Sequence, residues 1–174
     1  MLSSVDTLPE GRSTPHAGQE IVAAQERRFN WLAAGRRWRK TTLAVGLARK
    51  EAHRGGQVLW AAPTYDQVRI GWTMMKRAYP HHVHYVESRY EAIFLESGGC
   101  VRFRSLDHPD HVRGHTAHGV VVDEAADVAP AAWHEVLRPM LISTRGWAWL
   151  IGTPKGRNWF WQEWVRAGDD PEAA

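Results

Sequence analysis

The sequence predicts an α/β fold: a mostly parallel central sheet covered by helices on both faces, with a β-hairpin insertion. Three observations carry this expectation. The runs Gln57–Ala62 (QVLWAA), Gly119–Val122 (GVVV) and Trp147–Ile151 (WAWLI) are almost continuously apolar, the pattern of strands buried on both faces. Helix-like segments alternate with them, as connections between parallel strands require. Several of these strands run directly into polar loops, and ligands of parallel sheets bind beyond the carboxyl ends of the strands.

With 174 residues and 44% hydrophobic content, the chain is long enough for one domain with a real core. Lys and Arg number 22 against 19 Asp and Glu, a formal charge of +3. The sequence pI of about 9.3 and the clustered arginines leave a polyanionic partner open. The single cysteine, Cys100, excludes an internal disulfide framework and a cysteine-based zinc site. No stretch reaches the ~18 consecutive apolar residues of a membrane span, and the first residues lack a signal-peptide core. A soluble intracellular protein with no membrane partner is expected.

Met1 to Gly18, with Pro9, Gly11, Pro15 and Gly18 among polar residues, reads as a flexible arm. Residues 19–168 form the expected domain, and 169–174 an acidic tail. Gln19 to Arg28 reads as a helix and Phe29 to Ala33 as the first strand. The helix Leu43 to Arg54 follows the loop 34–42 and stops at Gly55-Gly56. Asp66 to Ala78, before Pro80, is the next helix after the strand Gln57–Ala62. Tyr90–Leu95 and Cys100–Leu106 flank Ser97-Gly98-Gly99 as a hairpin. Pro109 to Gly114 is a connector, Pro130 to Leu141 a helix with Pro130 at its start, and Asn158 to Ala167 the last helix.

The loop Ala34-Gly35-Arg36-Arg37-Trp38-Arg39-Lys40-Thr41-Thr42 stands where a phosphate-binding loop would sit, between a strand and a helix. Such a loop converges backbone N–H groups on phosphates, while a lysine reaches the terminal ones and a hydroxyl takes Mg²⁺. Lys40 and Thr41 fill the last two roles. The pattern GxxxxGK[ST] nevertheless fails at Ala34 and at Arg39, and a basic surface loop remains the alternative. If position 39 requires positive φ, an arginine there costs ~1 kcal/mol or more.

Asp123-Glu124 at the end of a buried strand is the second signal. There the first carboxylate can hold hydrated Mg²⁺ while the second positions and deprotonates water. By themselves the two also fit an ordinary acidic strand end. Thr153 in Gly152-Thr153-Pro154 follows the next strand, in either a turn or a γ-phosphate sensor. Arg113 is either a surface arginine or a cation for the transition state.

The histidines at 81, 82, 84, 108, 111, 115 and 118 lack metal-ligand spacing and read as solvated loop residues. Trp60, Trp147 and Trp149 read as core. Trp159, Phe160, Trp161 and Trp164 cannot all face inward from one helix, so a sticky surface and self-association are expected.

Taken in order, Gln19, Gly35 to Thr41, Ala62-Pro63-Thr64-Tyr65, Arg113-Gly114, Val122 to Ala126 and Gly152 to Arg157 resemble the ATPase domain of large terminase subunits. These are the DNA-packaging motors of tailed bacteriophages. The resemblance spans about Gln19 to Trp164. It implies a P-loop NTPase of the additional-strand, catalytic-glutamate type, with ATP and Mg²⁺ as cofactors.

Under it Lys40 and Thr41 are the Walker A lysine and Mg²⁺-ligating hydroxyl, Asp123 the Walker B aspartate and second metal ligand, and Glu124 the catalytic base. Gly35, Arg36, Arg37, Trp38, Arg39 and Thr42 complete the nucleotide loop. Gln19 is the adenine-side glutamine, Thr153 belongs to the coupling motif, and Arg36 or Arg37 is a candidate arginine finger.

The resemblance further implies double-stranded DNA, a portal and a small terminase subunit as partners, a homo-oligomeric ring, and action in the cytoplasm of a bacterial host. Large terminases continue into a nuclease domain whose acidic ligands are not found here. No nuclease activity is expected from this chain, which reads as a fragment, a split-gene product or a decayed copy. Two other readings fit the same residues: a catalytically impaired P-loop protein that binds nucleotide, DNA or packaging partners, and a helicase-like ATPase.

Overall fold

The computed structural model describes residues 17–81, 83–170 and 173. The expected arm therefore lies, up to residue 16, outside the described residues, as do His82 and half of the tail.

Seven strands form one sheet in the order β1-β7-β6-β2-β5-β4-β3. They are β1 (Phe29–Ala33), β2 (Gln57–Ala62), β3 (Val83–Val86), β4 (Glu91–Phe94), β5 (Cys100–Ser105), β6 (Gly119–Val122) and β7 (Trp147–Gly152). The five strands from β1 to β5 in that order are mutually parallel, while β4 and β3 add antiparallel at one edge.

The helices are α1 (Ala17–Ala24), α2 (Lys40–His53), α3 (Tyr65–Ala78), α4 (Arg138–Met140) and α5 (Trp159–Ala167). The mostly parallel sheet with a hairpin at its edge is the architecture the apolar runs predict.

Because side chains alternate across a strand, each buried strand feeds two cores. Trp149 and Ile151 of β7 join Trp60, Phe103, Val45, Val68 and Trp72 beneath α2 and α3. Ala148 and Leu150 join Leu59, Val120, Val122, Trp31, Trp133 and Phe160 on the opposite face. Full burial on both faces explains why β6 and β7 read as unbroken apolar runs.

Four differences from the sequence expectations have local causes. Strand β3 is absent from the expectations because VHYV is short and only partly buried, on the sheet edge, with His84 exposed. His84 thus belongs to a strand, and His118 Nδ1 accepts from the Gln57 N–H at 3.0 Å, so these two are not solvated loop residues.

The helix expected over 130–141 contains a π-helical stretch, Ala132–Leu137, before α4. There the Arg138 N–H bonds to Trp133, five residues back, just ahead of Pro139, which has no N–H to donate. Helix α2 begins at Lys40, three residues before the expected start, and α1 spans Ala17–Ala24 rather than reaching Arg28.

Candidate nucleotide site

Strands β1, β7 and β6 are adjacent and parallel, so the chain leaves all three on the same side of the sheet. That topology brings together residues 34–41, 123–124 and 153, which lie far apart in sequence. The Lys40 Nζ donates to the carbonyls of Ala34 at 2.8 Å and Gly35 at 3.2 Å, and lies 3.4 Å from Thr153 Oγ1. The Thr41 hydroxyl donates to Asp123 Oδ2 at 3.2 Å, and Asp123 Oδ1 accepts from the Glu124 N–H at 3.0 Å.

Two residues here adopt the left-handed backbone region that disfavours side chains. Arg39 has φ 62° and ψ 38°, immediately before α2, and Glu124 has φ 50° and ψ 45° immediately after Asp123. The conditional expectation for position 39 therefore applies: the loop takes a glycine-type turn on an arginine. Residues 36–38 form one 3-10 turn that leaves Arg36 and Arg37 exposed and lays Trp38 against the core beneath α2. A Cβ on Gly35 would meet nothing within 4 Å, so the space beside this point of the loop is open.

Asp123 is 5% exposed, and burial, reinforced by the Glu124 charge, raises its carboxyl to about 6. The Glu124 N–H, the Thr41 hydroxyl and the Lys40 ammonium act in the opposite direction. A buried carboxylate pushed up this way is a group that gains from a nearby cation. Its partner is a hydroxyl, so the donor set is all oxygen, which suits a hard divalent ion such as Mg²⁺.

Other residues singled out from the sequence lie outside this set of side-chain hydrogen bonds. Arg113 ion-pairs with Asp110 on an exposed turn and makes no hydrogen bond to the loop. Gln19 is buried in α1, and its Nε2 donates to the Arg39 carbonyl at 3.1 Å and the Trp38 carbonyl at 3.4 Å. The sequence contains no signal for that contact, which joins residues 20 apart through one amide. Trp147 is only half-buried, because its indole N–H reaches Glu51 at 3.1 Å rather than the core alone.

No protein-family profile matches the chain. The terminase large subunit of Thermus phage G20c is 33% identical over 132 residues, which cover 64% of this chain and 27% of that protein. The terminase large subunit of Escherichia phage T5 is 30% identical over 167 residues, covering 90% of this chain and 38% of that protein.

Among solved structures, the large terminase ATPase domain of Thermus phage P74-26 superposes with a TM-score of 0.73 at 29% identity. That match covers 86% of this chain and 68% of that domain chain. The chain spans well under half the length of the two curated relatives. Shared sequence and a shared P-loop fold make this chain a homologue of the large terminase subunits of bacteriophages, matching their ATPase domain.

Proposed function

We propose that the chain binds ATP with Mg²⁺ at the carboxyl ends of β1, β6 and β7 and hydrolyses it to ADP and phosphate. One observation carries this reading: Lys40, Thr41, Asp123 and Thr153, from three separate strand ends, meet through side-chain hydrogen bonds.

Lys40 is held over the loop by the Ala34 and Gly35 carbonyls, and exchanges them for phosphate oxygens when nucleotide enters. Thr41 and Asp123 would hold Mg²⁺, which when bound neutralises charge on the β- and γ-phosphates. Glu124 orients a water for attack on the γ-phosphorus and accepts its proton. The exposed Arg36 and Arg37 supply cationic charge to the transition state, with Arg113 a third candidate, and Thr153 registers the γ-phosphate beside Lys40.

By homology the hydrolysis serves DNA packaging. In that setting it drives double-stranded DNA into a capsid in the cytoplasm of a bacterial host, through a ring of copies working with a portal and a small terminase subunit. No helix among the described residues is long and apolar enough to cross a membrane.

The test is phosphate release with ATP and Mg²⁺. The unmodified chain should turn over, Glu124→Gln should bind nucleotide without turnover, and Lys40→Ala should lose binding. Failure to bind nucleotide, or binding indifferent to Lys40→Ala, sinks the reading.

A further inference from the structure

A P-loop turn that runs through the left-handed region is normally made by glycine, because a Cβ there crowds the following carbonyl. Here Arg39 makes it, and the Arg39 side chain forms no capping bond that would compensate. The turn is held from the other side of the backbone. The Arg39 carbonyl accepts from the Leu43 N–H at 3.2 Å, within the first turn of α2, and from Gln19 Nε2 at 3.1 Å. The same amide nitrogen reaches the Trp38 carbonyl at 3.4 Å. Gln19 is 4% exposed, so its amide faces the protein interior rather than solvent.

In a planar trans peptide the C=O and the following N–H point in opposite directions. Turning the Trp38 and Arg39 carbonyls toward Gln19 therefore turns the Arg39 and Lys40 N–H groups away from it. Backbone N–H groups at this point of such a loop are the donors that cradle phosphate.

We infer that Gln19 is a positioning residue that holds the Trp38–Arg39 backbone in its left-handed turn, replacing the conformational freedom a glycine would bring. The inference deepens, and rests on, the nucleotide site proposed above. It assigns the Gln19 amide nitrogen to the phosphate loop, where it acts alike on every nucleoside di- or triphosphate. A glutamine that reads adenine would discriminate against guanine instead.

The experiment crosses Gln19→Ala with Arg39→Gly and titrates each protein with ADP and with GDP. Gln19→Ala should weaken ADP and GDP by the same factor, about fivefold for one lost hydrogen bond. In the Arg39→Gly background, where the turn needs no holding, the loss should shrink to less than about twofold. A loss confined to ADP, or an equal loss in both backgrounds, overturns the assignment.

A thermal unfolding cycle without nucleotide decides the same point independently. Gln19→Ala should lower Tm by about 2–4 °C in the parent chain and by less than half of that beside Arg39→Gly. Strict additivity overturns the inference. If the parent chain binds neither ADP nor GDP, the ATPase reading falls, while this second cycle still decides whether Gln19 holds Arg39.

Discussion

Thr41 and Asp123, 82 positions apart in sequence, meet through a 3.2 Å hydrogen bond that closes the space between α2 and the end of β6. The bond stabilises a carboxylate that burial otherwise drives toward its neutral form. In the metal-free protein Asp123 titrates at about 6, against ~3.9 in an unfolded chain. The folded state thus binds the proton more tightly. This group's contribution to stability is greatest below about pH 4 and falls as pH rises toward about 6, then levels off.

Asp123→Asn removes that penalty while an amide still accepts from the Glu124 N–H and faces the Thr41 hydroxyl. In chelator, urea unfolding should show the variant about 2 kcal/mol more stable than the parent at pH 7.5, with the gap closing below pH 4. A gap that widens on acidification would contradict the burial of this carboxylate.

Glu124 combines the proposed base with a left-handed backbone, so its conformation costs stability that its chemistry requires. Glu124→Gly should raise unfolding stability by about 0.5–1 kcal/mol, because glycine adopts φ 50° without strain. It should also end phosphate release. Glu124→Gln should end release as well and gain only what losing the charge beside Asp123 returns, so the excess gain of Glu124→Gly over Glu124→Gln belongs to the backbone.

Gly119 faces Trp147 across the β6–β7 pair, and a Cβ there would fall 2.3 Å from the indole ring. That ring is tied by its N–H to Glu51, so a retreat from Gly119 strains or breaks that bond. Gly119→Ala should therefore destabilise by about 2–3 kcal/mol, a Tm drop of roughly 4–10 °C by calorimetry. Pairing it with Trp147→Phe, which is smaller and free of the Glu51 bond, should make the substitution cheaper. An unchanged Tm for Gly119→Ala alone would show the β6–β7 register to be wrong.

On α5, Phe160 is buried, whereas Trp161 is 39% and Trp164 48% exposed, with Val165 beside them. The Arg157 guanidinium lies over the Trp161 ring, 5.4 Å from its centroid, and covers only part of it. The stripe agrees with the expectation that these aromatics cannot all face inward. Sedimentation velocity should show concentration-dependent association that Trp161→Ser with Trp164→Ser abolishes. Association that survives both substitutions would assign it to another surface.

Hydrophobic period and turn residues were enough to place six of the seven strands and the hairpin at Gly98-Gly99, because burial on both faces is written as unbroken apolar runs. The loop 34–42 and Asp123-Glu124 were legible as strand ends carrying phosphate and metal chemistry, since residue type and order alone mark them. Strand β3 was not, for an edge strand with exposed His84 leaves almost no periodic trace. Nor was the π-helical stretch before Pro139, where one missing N–H changes the hydrogen-bond spacing without changing the apolar pattern.

What the sequence by itself determined is the α/β class, the strand ends and the inventory of reactive side chains, all of them local properties. Only the tertiary structure decided that Lys40 spans from the Ala34 carbonyl to Thr153, that Arg113 pairs with Asp110, and that Gln19 grips the Arg39 turn. Those relations depend on parallel strands meeting side by side and on backbone angles that an arginine or a glutamate adopts only when its neighbours hold it there.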